Sequence, residues 1–292
     1  MIVRLVGSEM CIRDSSGILL IDKPIGYSSN QVLQKVKKKL SLKKVGHFGT
    51  LDPFADGLLI LGIGKGTKLS NIFLNEDKAY VAEIFLGEEK DTDDLEGDTT
   101  FKSSQTVSYE NVISALKNFE GQIEQVPPTY SALKHNGKPL YDYAREGNPI
   151  TKPARKVIIH ELKVIEFKFP KLKLEITCSK GTYIRAIARD LGRKLGIGGH
   201  LQSLRRLKQG SFDISDSKSI DSLCEENIIS IEDCTKIFNE ISISDNEYAD
   251  LKNYGKTRSK IKKSGYFRGY NNDNFVGILS YSKNHLVKEI LV

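Results

Sequence analysis

Residues 43–68 read KKVGHFGTLDPFADGLLILGIGKGTK and set one carboxylate, that of Asp52, where it could do chemistry. Pro53 restricts the aspartate's backbone to an extended form, and Gly46 and Gly49, on either side of His47, permit tight turns ahead of it. The apolar run at 58–63 supplies a buried strand beside this loop, so a polar group is presented from a rigid support, as catalytic side chains are. An aspartate before proline also commonly caps a turn, and a lone histidine is more often structural than catalytic. Gly62, Gly64 and Gly66 hint at a phosphate loop, but the spacing fits neither G-x-x-x-x-G-K-[ST] nor G-x-G-x-x-G. Cys178 alternates with Leu172, Leu174 and Ile176 and reads as a small core residue, not a nucleophile.

The elements that must hold these groups follow from periodicity. Residues 17–22 form a short apolar strand, and Ser28 or Ser29 caps a helix over 30–40 with Val32, Leu33, Val36 and Leu40 on one stripe. Residues 78–87 alternate as a half-buried strand, 111–120 read as a helix closed by Gly121, and 157–169 with 171–178 read as a hairpin turning at Pro170. Residues 182–195 carry Ile184, Ile187, Ala188, Leu191 and Leu195 on one stripe, which turns Arg185, Arg189 and Arg193 to another face. Residues 213–244 are polar and acidic, read as a connector with a short helix at 231–238, and short strands at 266–270, 275–281 and 285–292 suggest a small β-barrel. Strands and helices without βαβ alternation predict an α+β fold with a mixed, largely antiparallel central sheet and flanking helices.

Composition narrows the partners. The 292 residues include 44 bases and 37 acids, for a net charge of +7, and 39% hydrophobic side chains, which excludes wholesale disorder. No apolar run approaches the ~20 residues of a membrane span. Cys11, Cys178, Cys224 and Cys234 form no CxxC pair, against a disulfide framework or structural zinc, and fit a reducing cytoplasm. Residues 180–208 hold eight bases against one acid, a second basic block spans 31–44, and 83–98 opposes them with eight acids and one lysine. Two basic blocks point to a polyanion, most readily nucleic acid. Residues 1–16 match nothing downstream, lack the pattern of a signal peptide, and are set aside as a non-native or disordered leader.

From residue 17 to 210 the chain resembles the bacterial tRNA pseudouridine-55 synthases of TruB type. The resemblance rests on Leu20-Ile21-Asp22-Lys23-Pro24 with Gly26 and Ser28; on Gly46-His47, Gly49-Thr50-Leu51-Asp52-Pro53, Gly57 and Thr67-Lys68; on Lys78-Ala79-Tyr80; and on the stretch from Cys178 to Arg185. It implies a catalytic domain over 17–240 and a PUA-like RNA-binding barrel over 241–292. It also implies that uridine becomes pseudouridine in the T-arm of tRNA, with no cofactor and no metal, on a base flipped out of the stack. Asp52 is then the acting carboxylate, Arg185 its partner, Tyr80 the residue stacked on the base and His47 a support for the flipped arrangement. Lys23, Tyr183, Lys180 and Thr182 are implied near the substrate. Electrostatics add Arg189, Arg193, Arg205 and Arg206 as contacts to RNA phosphates. A monomer without an obligate protein partner is expected. The other functional class open to this sequence is a non-catalytic tRNA-binding or RNA-folding protein.

Overall fold

The computed structural model describes residues 15–259 and 263–292, so residues 1–14 of the segment set aside above lie outside the described residues. The chain begins with β1 (Gly17–Lys23), α1 (Ser29–Lys39), β2 (Val45–His47), β3 (Asp56–Ile63) and β4 (Lys78–Leu86). A small hairpin, β5 (Glu88–Lys90) with β6 (Thr99–Lys102), leads to α2 (Tyr109–Leu116), β7 (Gly121–Gln125) and the short pair β8 (Lys134–His135) and β9 (Lys138–Pro139). Then come β10 (Arg155–Lys168), β11 (Lys171–Cys178), α3 (Ile184–Lys194), β12 (Gly199–Gln209), β13 (Phe212–Asp213) and β14 (Ile229–Ser230). The C-terminal part holds β15 (Asn239–Ser242), α4 (Asp245–Tyr254), β16 (Lys256–Arg258), β17 (Gly265–Asn271), β18 (Asn274–Ser282) and β19 (His285–Leu291).

One large sheet runs β14-β1-β3-β12-β4-β11-β10-β7, with β2 beside β3 and β13 beside β12. Its pairings are antiparallel except that of β3 with β12, which agrees with the mixed, largely antiparallel sheet expected. Register decides which side chains meet. Alternation along β4 turns Tyr80, Ala82 and Ile84 to one face, opposite Ile176, Leu174 and Leu172 of β11, and Arg206 of β12 stands opposite Tyr80. Helix α3 lays Ile184, Ile187, Ala188 and Leu191 into that face, forming the largest core with Leu51, Phe54 and Leu204. Cutting a fully buried residue such as Ile187 to alanine there costs about 2–5 kcal/mol. At Gly57, where φ is +99°, an added Cβ would lie 2.4 Å from the Arg206 carbonyl oxygen, so the parallel β3–β12 contact requires glycine.

Three local differences from the sequence reading have clear causes. Helix α2 tightens after Leu116 into a 3-10 turn over Lys117–Phe119, where the Asn118 side chain donates to the carbonyls of Ser114 and Ala115, and Gly121, in the left-handed region at φ +78°, follows that turn and opens β7. Helix α3 starts at Ile184, since the Thr182 hydroxyl donates to the Ser179 carbonyl and Tyr183 stays extended. The segment expected as a connector is built into the body: β14 pairs with β1, and Ile231 and Cys234 pack with Ile18 and Leu20. The C-terminal strands form a second sheet, β15-β17-β18-β19-β16, whose two edge strands are not paired with each other among the described residues.

Candidate active site

The loop carrying Asp52 is pinned on both sides. Before it, the Leu51 N–H donates to Ser29 Oγ at 2.8 Å and the same hydroxyl donates to the Leu51 carbonyl at 3.0 Å. After it, the Pro53 carbonyl accepts from the Gly26 N–H at 2.8 Å and from Lys23 Nζ at 3.4 Å. The turn after β1 and the start of α1 thus clamp the aspartate, which is why the first sequence motif and the Asp-Pro motif occur together in this chain.

Asp52 Oδ2 lies 3.1 Å from Nε of Arg185, at an angle that makes an ion pair and not a hydrogen bond. The guanidinium is fixed from behind. It donates to Asp94 Oδ2 at 3.1 Å, to the Thr92 carbonyl at 3.1 Å and to the Tyr130 carbonyl at 2.8 Å. Asp94 in turn accepts from the Thr92 hydroxyl at 2.7 Å. Burial raises the Asp52 carboxyl above its ordinary range, Arg185 and Lys23 pull it back down, and Asp94 adds to the rise. The Asp52 side chain keeps about 35% exposure, facing a cleft, whereas that of Arg185 keeps 7%. The result is a carboxylate open to a ligand, held against a cation that is closed to solvent.

That cleft measures about 360 Å³, the range of small-ligand sites, and its walls include Asp52, Tyr80, Thr182, Tyr183, Arg185 and Arg206. Tyr80 is 8% exposed, and burial pushes its phenol up to about 12 despite the hydrogen bond with Arg206, so the hydroxyl is neutral at neutral pH. Arg206 is 1% exposed and donates to the carbonyls of Leu58 at 2.7 Å and Gly49 at 3.3 Å. Tyr183 is held through Gln125, whose amide accepts from the Tyr183 N–H at 2.8 Å and donates to its carbonyl at 3.0 Å. The Arg155 guanidinium stacks over the Tyr183 ring, 4.7 Å from its centroid.

Of the residues expected at the site, the structure brings Asp52, Tyr80, Arg185, Thr182, Tyr183 and Arg206 together, and Lys180, exposed, donates to Asn75 at 2.9 Å outside the cleft lining. His47 sits on β2 opposite Leu61, also outside that lining, with Nδ1 buried and unpartnered and its pKa lowered by burial and by Arg206. The phosphate-contact role expected for the arginines does not fit Arg189 and Arg206, which are buried, while Arg193 and Arg205 reach the surface already paired with acids. Arg189 is 8% exposed and bound to Asp93 at 2.8 Å, Asp190 at 2.8 Å and the Val126 carbonyl at 2.9 Å. Arg193 is held bidentately by Glu89 at 2.9–3.1 Å, and Arg205 bridges Asp22 at 2.8 Å and Asp56 at 2.5 Å. The i, i+4, i+8 ladder of α3 is thus matched rung by rung with Asp94, Asp93 and Glu89. The acid run that looked like an opposing surface is the lining of the basic helix, and Arg206 is consumed inside the sheet.

Lys23 is likewise not a surface contact. It is 0% exposed, and its ammonium donates to the carbonyls of Tyr27 at 2.5 Å and Pro24 at 3.1 Å. Burial lowers its pKa from 10.5 to about 8, so between those values the unfolded chain binds the proton that the folded one has lost, and stability contributed by this group rises with pH. We therefore expect the stability difference between wild type and Lys23→Met to shift in favour of the wild type by up to about 3 kcal/mol from pH 8 to pH 10.5, measured by urea unfolding. The salt dependence of RNA binding is expected to stay the same in that variant; a shallower dependence would return Lys23 to the RNA surface.

Sequence reasoning missed Asp94, Gln125, Arg155 and Lys78. Asp94 was visible only as one of eight acids. Lys78 lines the cleft wall, is 8% exposed, and donates to the carbonyls of Leu74 and Glu76; its place in the Lys78-Ala79-Tyr80 motif, two residues before Tyr80, was the available signal.

A model of the TruB family pseudouridylate synthase N-terminal domain matches residues 37–184, and one of the tRNA pseudouridylate synthase B C-terminal domain matches 185–236. A protein of Francisella philomiragia named tRNA pseudouridine synthase B is 40% identical over 283 residues, covering 94% of each chain. One of the same name from Bordetella avium is 46% identical over 210 residues, 71% of this chain and 86% of that one. Among solved structures, a chain of a Cbf5-Nop10-Gar1 complex superposes with a TM-score of 0.68 at 25% identity, over 93% of this chain and 79% of its own.

Proposed function

The chain belongs to the TruB family of pseudouridylate synthases, and on that premise we propose which uridine it acts on and how its residues act. It isomerises uridine to pseudouridine in tRNA. The target is uridine 55 of the T-arm, turned out of the stack at a cost of a few kcal/mol and received in the cleft beside Asp52. The C1′–N1 bond breaks, the bound uracil turns, C1′ joins C5, N1 gains a proton and C5 loses one, so no atom is added and no cofactor or metal is called for. Asp52 acts at C1′, C2′ or C6 as an ionised carboxylate, which Arg185 favours, in a cleft that restricts water. Tyr80 stacks on the base. Its phenol is neutral, so it handles the C5 proton as a relay, accepting that proton as its own hydroxyl proton passes on toward N1. Thr182 and Tyr183 bound the pocket, while His47 and Lys180 support the RNA at its rim.

The C-terminal sheet is read as a PUA-like RNA-binding unit over 241–292, and the chain as a monomer working in the cytoplasm without an obligate protein partner. The single observation that carries the reading is the 3.1 Å pair of Asp52 and Arg185 opening on the cleft that Tyr80 walls. An unmodified tRNA transcript incubated with the protein and mapped at every uridine is expected to gain one pseudouridine, at position 55. No conversion, or conversion confined to uridines outside the T-arm, would overturn it.

A further inference from the structure

With Arg185, Arg189, Arg193 and Arg205 already paired with acids and Arg206 buried in the sheet, other cations are better placed to hold an RNA backbone. We infer that the groove between α1 and residues 219–221 binds the phosphates of the RNA arm that leads into the cleft, through Lys35, Lys38 and Lys39. This rests on the proposed function, since it takes RNA as the substrate. The groove measures about 750 Å³ and its walls include those three lysines, Tyr27, Ser219 and Asp221.

Helix α1 buries Val32, Leu33 and Val36, which sends Lys35, Lys38 and Lys39 to solvent at i, i+3 and i+4. Nothing between Asp22 and Asp52 in the sequence is acidic. Like charges at this spacing destabilise a helix by about 0.2–0.5 kcal/mol per pair, so stability alone does not account for the row. The helix dipole favours Lys38 and Lys39 in the last turn, but not Lys35 further back. Lys35 instead stands 3.8 Å from the centroid of the Tyr27 ring, and Lys39 is steadied by the carbonyls of Ile220 at 2.8 Å and Asp221 at 2.5 Å. The cations are therefore placed on one wall, an aromatic ring lies among them, and the exposed Lys218 is tied to the strand carrying Asp22 through backbone bonds of 3.0 Å. Two acids face the groove: Asp22, which shares Arg205 with Asp56, and Asp221. They are outnumbered by the lysines.

Position supports the same partner. The turn at Pro24–Tyr27 that floors the groove is the one whose Gly26 N–H binds the Pro53 carbonyl, one residue from the acting carboxylate. An RNA whose uridine enters the cleft therefore runs its adjoining backbone past this wall.

The test compares Lys35→Ala/Lys38→Ala with a control, Lys163→Ala/Lys168→Ala on β10, which removes the same charge from exposed positions elsewhere. Binding of an unmodified tRNA transcript is titrated over a range of salt concentrations, with wild-type conversion of that transcript measured alongside. The slope of log affinity against log salt is expected to become shallower by about 2 in the groove variant and to stay unchanged in the control. Lys35→Arg/Lys38→Arg is expected to keep the wild-type slope, which separates lost charge from lost fold. A groove variant with the wild-type slope, or with the same change as the control, overturns the inference while wild-type conversion leaves the proposed function standing. Failure of the wild type to convert would bring down both.

Discussion

Asp52→Asn is expected to bind unmodified tRNA as the wild type does and to convert none of it, a fall of at least about 10⁴-fold in kcat. Asparagine has the same shape, and the bonds that fix this loop come from the backbone at Leu51 and Pro53 and from Ser29, Gly26 and Lys23, so the loop stays where it is. Arg185 keeps Asp94 as a counter-charge. What disappears is the one carboxylate that lines the cleft among the described residues, and an isomerisation that breaks a glycosidic bond has no substitute for it among those walls. Single-turnover conversion with excess protein measures this directly, and substantial conversion by the variant would remove Asp52 from the reaction. A pH profile gives a second check. Because burial raises the carboxyl's pKa, protonation as pH falls disables the wild type at a higher pH than an ordinary carboxylate near 3.8 would, so the acid limb of kcat lies above that value.

Much of this site was legible before the structure, and the illegible part has one cause. Local patterns gave the strand 58–63, the hairpin at Pro170, the amphipathic helix after Thr182 and the stiff Asp-Pro loop, because each depends on neighbours within a few residues. The fate of a charge does not. Arg185, Arg189 and Arg193 meet Asp94, Asp93 and Glu89 across separations of 91, 96 and 104 residues, and a count of charge by segment sees two opposed blocks where the fold makes one neutral seam. Adjacent Arg205 and Arg206 show the same limit. In a strand, neighbours point to opposite faces, so one bridges two surface aspartates while the other is buried against Tyr80. The resemblance of its motif implied that Lys23 lies near the substrate; the turn that wraps three carbonyls around its ammonium gives it an internal role that the motif alone does not show. The lysines of α1 have no acidic neighbours in sequence, and the fold leaves Lys35, Lys38 and Lys39 exposed.

That seam makes the second prediction. Arg185→Met is expected to cost about 3–5 kcal/mol of stability, because it leaves Asp94, 4% exposed, as an uncompensated buried charge. It is also expected to lower conversion at least about 10³-fold, since Asp52 loses the cation that favours its ionised form and fixes its direction. Fold and chemistry are confounded in that variant alone, and the pair Arg185→Met/Asp94→Asn separates them. With Asp94 neutralised as well, the charge left without its partner is that of Asp52, which faces the cleft, so urea unfolding should show much of the stability returning. Conversion should not return with it, because nothing in the double variant replaces the guanidinium beside Asp52. Asp94→Asn by itself is expected to fall between, losing about 10²-fold, as Arg185 keeps its bonds to the Thr92 and Tyr130 carbonyls but loses its one rear charge. If conversion instead tracks stability through the whole set and the double variant recovers both, Arg185 is a structural strut and the carboxylate works without it.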